Sequence, residues 1–325
     1  MRRNACFISC ASTLACLIPM TSAHAEPLTT RNQHPLVALY GLPMPLAARL
    51  PASGSGLIGA NLNWSNFATT DTTDQSSYTL DGEVFEVRVT VEHSLGERFA
   101  VQGELAWRQV SGGSLDSLVE SWHDLFGMPN GSRGRLPEDA LLVEYRAGES
   151  TLLRVEDDSS GLADLPLSVG YQLTASERGA VATWLTLKVP TGRAEDLTGS
   201  GAVDVALSLA GERQLSDRWQ LFGQANVAWL GQGDVLEDLQ QDFAGSLLAG
   251  TTWKAWRGLD LTAQLEANTA VTDTGTDLDG DAVVLTLGGR YRTNSGWMWD
   301  FGFSEDLQPD ASPDIVFLLG VRHGL

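Results

Sequence analysis

Ten charged residues stand beside apolar ones along the chain: Glu86, Arg88, Glu104, Arg108, Lys188, Asp204, Lys254, Glu266, Arg290 and Asp300. A charge held alone in a hydrocarbon core is too costly to keep. A face of mixed sign, interleaved with Gln102, Gln220, Gln224, Asn226, Gln264 and Asn268, suits water instead. Such a face either lines a hydrated route for small solutes or satisfies itself and fills a narrow interior.

Other residues invite different chemistry. Leu118, Val119, Trp122, Leu125 and Phe126 recur at helical spacing, with a Ser117-x-x-Glu120 capping box ahead and Gly127 and Pro129 behind. That predicts a short helix in a loop, with Leu118, Trp122, His123, Leu125 and Phe126 as candidates for a gate at the rim or in the mouth of the domain. His123-Asp124 has acid–base residue types, but helix neighbours point in different directions. His93-Ser94 fails likewise in a strand, and no nucleophile elbow is present. No catalytic residue is named. Asp277-x-Asp279-Gly280-Asp281 has the oxygen ligands of a calcium loop, yet Ala282 and Gly288 stand where such loops need glycine and glutamate. No cofactor is implied.

The elements that must position the charged set are strands. From Phe85 to Val91 the odd positions are Phe85, Val87, Val89 and Val91, and the even ones are Glu86, Arg88 and Thr90. A turn at Leu95–Arg98 follows, and Phe99, Val101, Leu105 and Trp107 then alternate with Gln102, Glu104 and Arg108. Side chains of a strand alternate between its faces, so each strand is greasy on one side and charged on the other. That is the pattern of a barrel in lipid with a wet lumen.

The chain divides in three. Residues 1–25 read as an export signal: Arg2 and Arg3, an apolar stretch from Cys6 to Met20, and Ala23-His24-Ala25 as cleavage site. All 3 cysteines, Cys6, Cys10 and Cys16, lie in it, which excludes disulfides and thiol chemistry from the remainder. Without Arg2 and Arg3, 19 of the 21 basic residues are left against 41 acidic ones, a formal charge of −22 that disfavours nucleic acid as a partner. Residues 26–55 are irregular and hold Pro27, Pro35, Pro43, Pro45 and Pro51 around the apolar run Leu36–Tyr40. This segment is a candidate plug of the lumen or an extension outside it.

Residues 56–325 form the barrel. Alternating stretches predict fourteen antiparallel strands, or twelve if the short ones at Ala140–Arg146 and Thr151–Val155 form a hairpin that projects beyond the membrane. They fall short of the roughly 9–11 residues a membrane strand needs. Short turns near Gly96, Gly148, Ser176, Ser216, Arg257 and Asn294 alternate with long loops, among them 68–82, 110–138 and 156–164. Trp64, Trp107 and Trp229 fall at the long-loop ends of the apolar face, and Trp219, Trp253, Trp297 and Trp299 at the short-turn ends, as two interfacial belts would.

Several motifs resemble a known family. Asn32-Gln33-His34-Pro35-Leu36 with Tyr40-Gly41-Leu42-Pro43 is one. Trp122-His123-Asp124-Leu125-Phe126-Gly127-Met128-Pro129 with Arg133 is the most specific. Gly161-Leu162-Ala163-Asp164-Leu165 and Lys188-Val189-Pro190-Thr191-Gly192 add to them. Together they resemble an uncharacterised family of proteobacterial outer-membrane barrels with a domain of unknown function. The likeness spans nearly all of the chain after the signal and brings no catalytic residues. The Lys-Val-Pro-Thr-Gly run is similar to one in barrels that move aromatic compounds, and a fourteen-strand barrel with an N-terminal plug is similar in architecture to fatty-acid transporters.

Three functions remain open at this point: a passive channel or transporter for small solutes, hydrophobic ones included; a closed barrel for envelope integrity or surface interaction; and a lipid-modifying barrel enzyme such as a lipid hydrolase. A Gram-negative outer membrane is the expected location. Its lipid and lipopolysaccharide, the barrel-assembly machinery and an unidentified small solute are the expected partners.

Overall fold

The computed structural model describes residues 26–128, 130–308 and 311–325. The expected export signal at 1–25 lies outside the described residues. The strands are β1 (Gly56–Thr72), β2 (Ser76–Ser94), β3 (Phe99–Ser111), β4 (Leu142–Ala147), β5 (Ser150–Val155), β6 (Ser159–Leu162), β7 (Leu165–Ser176), β8 (Gly179–Val189), β9 (Asp204–Gln214), β10 (Trp219–Trp229), β11 (Phe243–Trp256), β12 (Leu259–Asn268), β13 (Ala282–Arg292), β14 (Met298–Asp306) and β15 (Ile315–Gly324). One helix, α1 (Asp116–Phe126), follows β3.

The barrel closes through β1, β2, β3 and β7 to β15, twelve antiparallel strands, with Leu57 opposite Gly324 and Asn66 opposite Ile315 where first and last strands meet. The fourteen-strand count is thereby corrected to its alternative. β4 and β5 do not enter the wall. They pair with the outer part of β2, Ser76–Asp81, and carry the sheet beyond the barrel. Residues 68–82, expected as a loop, are strand as well: β1 and β2 pair from Ala68↔Asp81 to Thr72↔Ser77 before turning. The threonines there are β-branched and favour the pleat, so polar composition misleads.

The wall has the two expected faces. Leu105, Leu185, Leu207, Leu247 and Leu319 point out and are exposed, while Glu86, Arg88, Glu104, Arg108, Lys188 and Asp300 point in and are buried. At the long-loop end the inner face changes character. Above Glu86 it continues through Val84, Leu80 and Tyr78, which join Phe67, Val110, Val143 and Tyr145 in an apolar cluster. Outside a membrane an apolar face must be covered, and this one is covered from within by Leu36, Val37, Leu39, Tyr40 and Leu42.

Residues 26–50 run inside the barrel. Glu26 lies at the short-turn end beside Arg290 and Arg322. The segment rises past Gln264 and Glu266, reverses around a short 3₁₀ turn at Val37–Leu39, and descends past Gln224 and Gln172 to the Ser176 turn. It forms no strand with the wall. Side chains of the wall satisfy its backbone instead.

Candidate functional site

The lumen contacts fall into three groups. In the first, Glu86 sits between two arginines: Arg88 donates to it at 2.6 Å and Arg108 at 2.7 Å. Arg88 also reaches Glu104 at 2.7 Å, and Gln102 donates to the other oxygen of Glu104 at 2.8 Å. All of these side chains are buried. In the second, Lys188 bridges Asp164 at 2.6 Å and Asp204 at 3.1 Å and donates to the carbonyl of Leu39 at 3.1 Å. In the third, Arg290 pairs with Asp300 at 2.6 Å, and Arg322 joins Asp300 at 2.5 Å to Glu26 at 2.6 Å. Charges taken from water are held when each finds a partner of opposite sign with good hydrogen bonds.

Nine of the ten lumen candidates thus meet one another or the inner segment. Glu266 accepts from the backbone N–H of Asn32 at 3.1 Å. Lys254 is half-buried near the short-turn end of β11, opposite Asp260 in register and outside these groups.

Two residues at the centre lie outside the ten lumen candidates: Arg31, and Asp164 of the Gly161–Leu165 motif. Arg31, on the inner segment, donates to the carbonyls of Ala38 at 2.9 Å and Tyr40 at 3.3 Å, and to that of Leu42. It ties the ascending limb to the descending one. Burial, aided by the charge of Arg88, lowers its pKa to about 10. Asp164 arrives by a bulge. Between Gly103↔Leu167 and Trp107↔Leu162 the β3 side advances four residues and the β6–β7 side five, so Ala163 and Asp164 are both buried. Alternation alone cannot aim Asp164. The signal for Arg31 was the polar run Thr30–His34 inside an otherwise apolar segment.

Close approach shapes the fit of segment to wall. A Cβ on Gly41 would lie 2.5 Å from the Cβ of Asp204, so only glycine lets the segment pass there. Trp184 is fully buried, donates to the carbonyl of Ala47 at 2.8 Å, and lies over Gly170, where a Cβ would come within 2.8 Å of its ring.

Two small cavities lie between the inner segment and the wall. A cavity of about 30 Å³ is lined by Arg31, Leu42, Met44, Arg88, Glu104 and Lys188 among others. A second, of about 70 Å³ and nearer the short-turn end, is lined by Glu26, Met44, Leu57, Glu92, Glu104 and Arg322 among others. These volumes hold a few waters and no solute of ordinary size. Met44 and Glu104 line both.

The gate candidates lie elsewhere. The α1 helix does not cover the mouth. Val119 and Leu115 pack on Ile315, and Trp122 meets Phe303 with ring centroids 5.1 Å apart, all on the outer side of the wall. Leu118, Leu125 and Phe126 are exposed, and His123 is buried with Nδ1 2.9 Å from the side-chain oxygen of Asn130. The capping box is also corrected. The helix starts one residue before Ser117, which caps nothing, and the Asp116 carboxylate takes bonds from Asn66, Arg133 and the Asp139 N–H. Gly127 ends the helix in the left-handed conformation, φ 68°.

The weak calcium-loop match lies in a loop held by its own hydrogen bonds. Asp279 is occupied by donors of its own loop, the N–H groups of Thr274 at 2.7 Å and Gly275 at 2.6 Å and the hydroxyls of Thr272 and Thr274. Asp277 lies in the same 3₁₀ turn, Asp281 is exposed beyond it, and no metal-binding cluster exists among the described residues.

A closed antiparallel barrel with an apolar exterior, a charged interior and a chain segment threaded through it defines a membrane-spanning β-barrel with an occluded lumen. The chain belongs to the family described as "Protein of unknown function (DUF3187)", whose model matches residues 6–325. No curated protein matches the sequence. Among solved structures, the COG4313 outer membrane channel from Pseudomonas putida F1 is similar with a TM-score of 0.59 at 14% identity, over 86% of this chain and 99% of that one. The KdgM porin has a TM-score of 0.45 at 9% identity, over 82% and 98% of the two chains. The P. putida toluene transporter TodX has 0.41 at 12% identity, over 85% and 91%. At 14% identity the likeness to the first of these is one of fold.

Proposed function

We propose that the protein is a passive outer-membrane pathway for small solutes, hydrophobic ones among them, closed in the present state by residues 26–50 acting as a plug. The long loops then face outward from a Gram-negative cell, the short turns face the periplasm, and the barrel reaches its lipid and lipopolysaccharide surroundings through the barrel-assembly machinery. The observation that carries this reading is the pair of cavities on one flank of the plug, which have Met44 and Glu104 in common in their linings. A barrel built only as a filled strut has no use for a segment that forms no strand with its wall. A plug held by side-chain hydrogen bonds can leave without breaking the sheet. The fold it shares with an outer-membrane channel supports the same reading.

Single-channel recording in planar bilayers tests it, with folding followed by heat-modifiable gel mobility. The full-length protein is expected to pass small or no current, and the chain lacking residues 26–50 to give large open steps. Met44→Ala, which leaves the plug anchored, should raise the basal current by joining the two cavities. Folded variants that both stay silent would overturn the pathway and leave a closed structural barrel.

A further inference from the structure

The outer wall carries a surface that the solute reading does not use. We infer that α1 is an interfacial helix, docked on the outside of the barrel and embedded along one flank in the acyl chains of the surrounding membrane leaflet.

Three observations carry it. The first is where the helix sits. Ile315 belongs to the outward row of β15, with Phe317 and Leu319, yet it is fully buried because Leu115 and Val119 lie on it. Trp64, also on an outward row, and Phe317 pack against the same cluster. Trp64 is one of the tryptophans that mark the long-loop edge of the apolar band, so α1 lies at the height where membrane and water meet.

The second is the direction of its free apolar flank. Trp122 touches Phe303, and the next outward residues down β14 are Phe301 and Trp299, exposed as lipid-facing positions are. Leu118 and Leu125 stand beside Trp122 on the helix surface and are 49% and 75% exposed. Phe126 meets Trp122 in a tilted contact, ring centroids 4.7 Å apart, and is 60% exposed. The strip is continuous with the apolar band of the wall, and this continuity selects lipid as its occupant. The opposite flank is Ser117, Glu120, Ser121 and Asp124. That division is what a helix lying in a membrane interface requires.

The third is how the helix is held. Its N-terminus is fixed to the rim: Glu83 accepts from the N–H groups of Ser114 at 2.7 Å and Leu115 at 2.5 Å and from Trp64 Nε1 at 2.7 Å. Arg133 ties Asp116 to Asn66 and Asp314. Such a clamp sets the roll of the helix and so the direction in which Leu118 and Leu125 point.

Spin labelling in the full chain tests this. Cys6, Cys10 and Cys16 are changed to alanine, and single cysteines are introduced by Leu125→Cys, Leu118→Cys, Asp124→Cys and, as a lipid-facing control on β11, Leu247→Cys. Each protein is purified from membranes, labelled with a nitroxide, and reconstituted in vesicles of phosphatidylethanolamine and phosphatidylglycerol. Folding is checked by heat-modifiable mobility. Relaxation by oxygen, which concentrates in the bilayer, is compared with relaxation by a water-soluble nickel complex. The labels at 125 and 118 are expected to shift toward oxygen, as at 247, and the label at 124 toward nickel. Nickel-dominated relaxation at both 125 and 118 in a folded barrel would overturn the inference, whatever the conductance of the protein.

Discussion

Two pieces of this chain lie against the barrel wall without joining it, one inside and one outside, and they are built on opposite principles. Residues 26–50 are irregular, and the wall completes their hydrogen bonds: Gln264 takes the N–H of Leu28, Gln224 that of Leu46 and Gln172 that of Leu50. The α1 helix satisfies its own backbone and meets the wall through Val119 and Trp122. The two sides of one sheet act as two solvents. Facing lipid, a backbone must satisfy itself, and a helix does so. Facing a polar lumen, extended chain is tolerated because amide and charged side chains receive it. Below the apolar cluster around Leu36–Leu42 the lumen contacts are therefore mainly electrostatic and all-or-none, whereas beyond its clamp at Glu83 and Arg133 the outer helix meets the wall through dispersive, graded contacts.

The largest effect should come from the lumen. Glu86 is the only carboxylate that pairs with both Arg88 and Arg108 among the described ion pairs. Glu86→Ala leaves Arg108 without a carboxylate and Arg88 with Glu104 alone. Breaking a buried ion group of this kind costs about 3–5 kcal/mol. Urea unfolding of the refolded barrel, followed by gel mobility, is expected to shift its midpoint accordingly. A loss below about 1 kcal/mol would mean that this cluster is screened like a surface ion pair and does not lock the lumen.

A middle-sized effect belongs to the plug alone and depends on pH. The His34 imidazole is fully buried, its Nδ1 accepts weakly from the N–H of Leu36 at 3.4 Å, and its Nε2 has no partner. Burial lowers its pKa from 6.5 to about 3. The packed segment therefore keeps His34 neutral, while a released segment binds a proton as pH falls below about 6.5. The packed state has its full stability above that pH and loses it progressively toward pH 3. At pH 5 the loss is about 2 kcal/mol. Protease access to residues 26–50, measured between pH 8 and 5, is expected to rise on acidification and to stay flat in His34→Gln. Equal profiles in both proteins would place the pH response elsewhere.

How much of this was legible in the sequence follows the same inside–outside division. The alternation of Phe85–Val91 and Phe99–Arg108 named the faces of the wall because a period of two has one structural meaning. Loop lengths then set the order of strands. Local pattern failed where geometry is set by something distant. β1 and β2 continue through the polar residues 68–82 because β4 pairs with β2 there. Asp164 enters the lumen through a bulge, which shifts the alternation by one. Arg31 matters only because the segment folds back on itself. Trp184 gives no local signal, since it stands on the inner face of β8, where a polar residue is expected. The spacing of α1 was readable, but not which side of the wall would receive it. An apolar stripe specifies a greasy partner, and both the mouth and the outer band are greasy at that height.

The smallest effect should come from the outside, and its size sharpens the comparison. Val119→Ala removes two methyl groups from the contact with Leu115 and Ile315. In a water-surrounded core that deletion costs about 1–2 kcal/mol, transfer and cavity together. Here the competing partner is lipid, which is as apolar as the wall, so the transfer part shrinks and dispersion is what remains. The expected loss in vesicles is therefore about 1 kcal/mol or less. It should fall on α1 rather than on the barrel. The clamp at Glu83, Asp116 and Arg133 keeps the N-terminus in place, so the C-terminal turn loosens first. Limited proteolysis between residues 124 and 140 should accelerate while the unfolding midpoint of the barrel stays put. A shift of that midpoint comparable to the Glu86→Ala shift would show that the outer helix is as integral to the closure of β15 on β1 as the lumen charges are, and the contrast between the two sides would fail.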